Sequence, residues 1–130
     1  KAFGADVILL IAANLEEKQA LSLAKKARSL GMEVLMEVHN AKELKKVNDF
    51  IDIVGVNNRN LKTFKTDIQT SVKLAGMIPP RYVKISESGL EKPETIHQLR
   101  EKGFRGFLIG ETFMKTDNPG EACEKLISEL

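Results

Sequence analysis

Two glutamates, Glu37 in MEVHN and Glu87 in ISESGL, stand at or near the ends of apolar runs, where an ionised side chain is expensive to place. A carboxyl group partly withdrawn from water acquires a raised pKa and becomes suited to moving protons, so the two form a candidate acid and base pair. Other polar or small residues follow comparable runs: Asn57-Asn58-Arg59 after IDIVGV, Ser88-Gly89 after Glu87, and Gly110-Glu111-Thr112 after GFLI. Small residues at such turns let backbone N–H groups approach an anion, and a following helix start adds a favourable dipole. Each group also has a plainer reading. Glu37 alone reads equally well as a surface carboxylate beyond a strand end, and NNRN is good turn material.

The elements that must position these residues are marked clearly. Five strand-length runs, DVILLIAA, MEVLMEV, IDIVGV, YVKIS and GFLIG, are rich in Val, Ile and Leu, as parallel strands covered on both faces require. Amphipathic segments separate them. Asn14-Leu15-Glu16-Glu17 has the form of a capping box opening a helix that runs to Gly31, and Asn40-Ala41-Lys42-Glu43 repeats the device. Asp67 is a cap for IQTSVKLA, which stops near Gly76. Pro93 opens ETIHQLREK, Gly103 closes it, and Asn118-Pro119-Gly120-Glu121 starts the last helix. The order predicts strand and helix five times over, an α/β fold with a parallel sheet, right-handed crossovers and a single unit over residues 1–130. In such folds ligands bind beyond the carboxyl ends of the strands, the rim on which the polar residues fall.

Composition excludes several other classes. Twenty basic and eighteen acidic residues leave a charge of +2, too small an excess for a nucleic-acid partner. Lys25-Lys26 and Lys45-Lys46 share helical segments with glutamates and read as solvated faces. The lone Cys123 argues against a disulfide scaffold and for packing in a reducing, cytoplasmic setting. The longest uncharged apolar run, VILLIAA, is far short of the roughly 20 residues that span a bilayer, so no membrane partner is expected. His39 beside Glu37 could line the rim, although a loop histidine is more often structural; His97 reads as outer helix surface. No histidine or cysteine pair has metal-ligand spacing, and no GxSxG elbow supports a serine triad.

VGVNNRNLKTF, SESG and LIGE at these spacings resemble indole-3-glycerol phosphate synthase, a (β/α)8 barrel of tryptophan biosynthesis, along the whole chain. The resemblance implies that ADVILLIAA, GMEVLMEVHN, DIVGVNNRNLKTF, ISESGL and FLIGETFM are barrel strands four to eight. It further implies that Glu37 takes part in proton transfer, that Asn57 and Arg59 orient substrate and balance charge, and that Glu87 lies near the substrate hydroxyls. Ser88, Gly89, Gly110 and the backbone of Glu111 would hold the substrate phosphate. The reaction implied is a carboxy-lyase ring closure of 1-(2-carboxyphenylamino)-1-deoxyribulose 5-phosphate, with loss of CO2 and water and no metal or organic cofactor. Strands one to three would then be absent, with the catalytic lysine of strand three and the lysine and glutamate of strand one. Lys1 precedes the first strand and cannot replace them. The chain alone is accordingly expected to be inactive, with the N-terminal portion or a second copy as partner. The alternatives are a noncatalytic self-associating βα fragment, or another phosphate-binding barrel such as phosphoribosylanthranilate isomerase.

Overall fold

The computed structural model describes residues 3–130; Lys1 lies outside the described residues. Strands β1 (Val7–Ile11), β2 (Glu33–Val38), β3 (Ile53–Asn57), β4 (Val83–Glu87) and β5 (Gly106–Leu108) lie side by side in chain order, each parallel to its neighbours. Helices α1 (Glu17–Ser29), α2 (Gln69–Ala75), α3 (Pro93–Glu101), α4 (Glu111–Met114) and α5 (Pro119–Ser128) follow β1, β3, β4 and, for the last two, β5. The strands are parallel and in consecutive order, and the usual right-handed sense of such connections carries them over one face of the sheet.

Burial follows the two-residue alternation of the strands. Leu10, Val34, Met36, Val38, Val54, Val56 and Ser86 point to the helical side and are buried. They form the core with Ala20, Ala24 and Ala27 of α1, Leu74 and Ala75 of α2, and Leu99 of α3. Small side chains in α1 let it approach the sheet closely, and each fully buried Val, Leu or Met contributes roughly 1.5–3 kcal/mol. The opposite face is open. Val7 (42%), Leu9 (50%), Val83 (44%) and Leu108 (51%) remain exposed there, although parallel sheets are normally covered on both sides.

Two start signals fall elsewhere than the sequence predicts. Ala12–Asn14 tightens into a 3-10 turn directly after β1, so the first helix begins beyond Leu15. Its capping box is Glu16 with Gln19, whose side-chain oxygen accepts from the Glu16 N–H at 2.9 Å. Asn40 does accept from the backbone of Lys42 and Glu43, yet only a 3-10 turn, Glu43–Lys46, follows. Val47 is already extended, and the Asn48 side chain accepts from Phe50 N–H, which fixes a turn where a helix would need to continue. The connection between β2 and β3 therefore carries no α-helix. The other signals stand as read: Asp67 accepts from Gln69 N–H, Pro93 sits in the first turn of α3, and Asn118 accepts from Glu121 N–H. Among the described residues no helix is long and apolar enough to cross a membrane.

Candidate active site

The open face carries the carboxyl pair. Strand register places Ile11, Glu37, Gly55, Ile85 and Gly106 in one row, and Asn57, Glu87 and Leu108 in the next row toward the rim. Glu37 and Glu87 therefore point to the same face from strands separated by β3. Gly55 lets them meet. A Cβ at that position would lie 2.1 Å from Glu87 Oε1, so the Glu87 carboxyl leans over the glycine toward Glu37. Both residues are buried, Glu37 to 6% exposure and Glu87 to 7%. Glu87 Oε1 has no hydrogen-bond partner among the described residues. Burial first, then the charge of Glu37 and a hydrogen bond between the two carboxyls, push Glu87 up to about 8. A Glu87 carboxyl so placed keeps its proton to higher pH than usual, beside the carboxyl of Glu37.

The turn after β4 is held from behind. Ser88 and Gly89 have φ of 68° and 70°, two successive left-handed residues of which only the second is free of steric cost. Asn58 secures them. It is 3% exposed; its Nδ2 donates to Ser86 Oγ and to the Ser88 carbonyl, both at 3.0 Å, and its Oδ1 accepts from Ser71 N–H at 3.1 Å. The Asn58 backbone N–H also donates to the Glu87 carbonyl at 2.9 Å, and Ser71 Oγ lies 2.8 Å from Ser86 Oγ. One side chain thereby joins the end of β3, the start of α2 and the turn that carries Glu87. Replacing it takes the partner from Ser71 N–H and from the Ser88 carbonyl, each worth about 1–3 kcal/mol. Asn58→Ala is expected to lower unfolding stability by about 2–4 kcal/mol, read by urea titration.

A cavity of about 280 Å³ opens on the same rim, lined in part by Arg59, Ser88, Gly89, Gly110, Glu111 and Lys115. It brings together all the residues expected to hold phosphate, and Arg59 with them. Arg59 and Lys115 are both ion-paired to the Glu111 side chain, Lys115 at 2.7 Å. The hydrogen bond from Lys115, and then that from Arg59, hold Glu111 below the usual carboxylate range. The Glu111 carboxylate thus occupies the two cations that an anion would otherwise claim.

Asn57 lies outside that cavity. Its Oδ1 accepts from Arg59 N–H at 2.9 Å, which is turn chemistry, and it lines a second cavity of about 390 Å³ with His39, Arg59 and Lys65. The loop between Arg59 and Thr66, paired by an antiparallel bridge, is closed by Asn60, whose side chain accepts from Lys62 and Thr63 N–H. Lys115 and Asn58 were not singled out from sequence. The Glu111 and Lys115 spacing of four on a helix was a readable signal for the first, and strand alternation, which sends Asn57 and Asn58 to opposite faces, for the second.

A family model described as indole-3-glycerol phosphate synthase matches residues 1–126. The chain belongs to the indole-3-glycerol phosphate synthase family. Its relatives include the indole-3-glycerol phosphate synthase of Bacteroides thetaiotaomicron, 52% identical over 130 residues, covering all of this chain and 50% of the relative. The synthase of Magnetococcus marinus is 49% identical over 128 residues, covering 98% and 48%. The chain spans about half the length of the curated synthases it matches. Among solved structures, 3-hexulose-6-phosphate synthase superposes with a TM-score of 0.76 at 14% identity, over 98% of this chain and 63% of that one. A mutant tryptophan synthase alpha-subunit from Pyrococcus furiosus gives 0.69 at 23%, over 98% and 54%. At those identities the likeness shows the fold alone: a five-stranded parallel part of an α/β barrel, as expected for part of an indole-3-glycerol phosphate synthase, with the sheet left open.

Proposed function

We propose that this chain supplies strands four to eight of an indole-3-glycerol phosphate synthase barrel, and that the complete barrel performs the ring closure. The observation that carries this reading is the buried Glu37 and Glu87 pair beside an anion-sized cavity on one rim of one sheet. In the reaction a general acid protonates the substrate ketone, the aromatic ring attacks, the carboxylate leaves as CO2, and a base assists loss of water. Glu37 and Glu87 suit the proton transfers, and Asn57 and Arg59 suit orientation of the substrate at the rim. Ser88, Gly89, Gly110 and the Glu111 backbone suit the phosphate, with the Glu111 side chain yielding Arg59 or Lys115 as the anion enters. The remaining βα units would cover Val7, Leu9, Val83 and Leu108 and bring the lysine that acts as principal acid. A cytoplasmic setting belongs to the same reading and rests on the lone Cys123.

Joining this chain to the half of the Bacteroides thetaiotaomicron synthase that it does not match tests the proposal. Ring closure, followed by product absorbance, is expected from the joined protein and not from this chain alone. A folded joined protein without turnover would refute it. The exposed apolar face and the free edges of β1 and β5 favour a second reading, self-association of the isolated chain. Light scattering decides that point: a dimer is expected if copies cover one another, and a clean monomer removes the reading.

A further inference from the structure

His39 follows β2 directly and has no role in the ring closure described above. Its Nε2 lies 3.2 Å from Glu37 Oε1 and its Nδ1 lies 3.2 Å from Glu43 Oε2. The three side chains are all largely buried, His39 and Glu43 to 13% exposure and Glu37 to 8%. Glu43 is fixed independently, since its Oε2 accepts from the His39 backbone N–H at 2.8 Å and its Oε1 from Asn40 Nδ2 at 2.6 Å. Those donors hold the Glu43 carboxyl in place beside the ring.

Counting donors then limits the ring. A neutral imidazole has one N–H and one lone pair, whereas ionised carboxylates on both sides offer only acceptors. A ring that donates to the carboxylates on both sides must hold two protons. The contact from Nε2 to Glu37 is close but not aligned as a hydrogen bond, and a protonated ring acts on Glu37 there through charge. Other titratable or charged groups near the ring are Glu87, reached through Glu37, and Arg59, Lys65 and Asp67 across the cavity that His39 lines.

We propose that His39, braced by Glu43, is a positioning residue that holds Glu37 as the ionised member of the carboxyl pair and leaves the shared proton on Glu87. The inference rests on the synthase reading and divides its labour: Glu37 takes protons, Glu87 gives one. His39 touches no reacting atom and acts through Glu37.

The test uses His39→Asn and Glu43→Gln in the complete synthase carrying this chain. In His39→Asn the acidic limb of the kcat/KM profile is expected to move to higher pH by about one unit, the low end for losing an opposite charge at this distance. KM should change less than kcat. Glu43→Gln should move the limb in the same direction by less, and keeps the question open to refutation should His39→Asn not fold. Carbon-13 titration of the Glu37 and Glu87 carboxyls in the same proteins reads the shift without turnover. Rate profiles and carboxyl titrations that superimpose on the parent's, with only thermal stability lowered, would overturn the proposal and leave His39 a structural residue. A parent without ring closure whose carboxyl titration still moves on His39→Asn would instead sink the synthase reading and support the His39 assignment.

Discussion

In the complete enzyme, Glu37→Gln is expected to lower kcat by about two to four orders of magnitude, the usual yield of a positioned acid or base. Thermal stability should hold or rise. The substitution keeps the volume of the side chain in the row of Ile11, Gly55 and Ile85 while removing a buried charge that faces a second carboxyl. The loss should fall on kcat more than on KM, because the cavity of about 280 Å³ on the rim is lined by other residues. Glu87 should also titrate at lower pH in this variant, since the charge and the hydrogen bond of Glu37 both contribute to its upward displacement. Turnover within a few-fold of the parent would remove Glu37 from the chemistry.

The second expectation concerns the dependence of folding on pH. The Glu87 pKa is raised from 4.5 to about 8 in the folded chain. Below the unfolded value both states hold the proton, and the stability associated with the protonated group is fully present. Between the two values the unfolded chain releases its proton while the folded chain retains it, so stability falls as pH rises. Above about 8 both are ionised and the loss levels off. The decline is on the order of 3 kcal/mol once screening by water at the open face is allowed for. Urea unfolding at about pH 5, 7 and 9 measures it, and Glu87→Gln should flatten the curve across that window. An equally steep curve in the variant would show that another group is responsible.

Much of this site was legible before the fold. Apolar runs of strand length fixed which residues reach the rim, and a carboxylate inside MEV or after VKIS is costly enough to be conspicuous. Proximity was less legible. Glu37 and Glu87 sit on strands that are not neighbours, and their meeting depends on Gly55, whose significance appears only with the register of β2, β3 and β4. The role of Glu43 was misread for a similar reason. Its carboxylate, which in a capping box would turn back to Asn40 N–H, is taken by the His39 backbone and the Asn40 side chain, and no α-helix follows. The open face follows from strand order. Strands in consecutive order with crossovers of one hand leave one side bare, and the sequence of the strands already has apolar residues for both sides.

The proton shared by Glu37 and Glu87 is the point on which the chemistry depends, and carbon-13 NMR titration of the Glu87 side-chain carboxyl measures it directly. A midpoint near 8 that falls when Glu37 becomes glutamine is the predicted result. A midpoint at the ordinary value of 4.5, unmoved by that substitution, would contradict it.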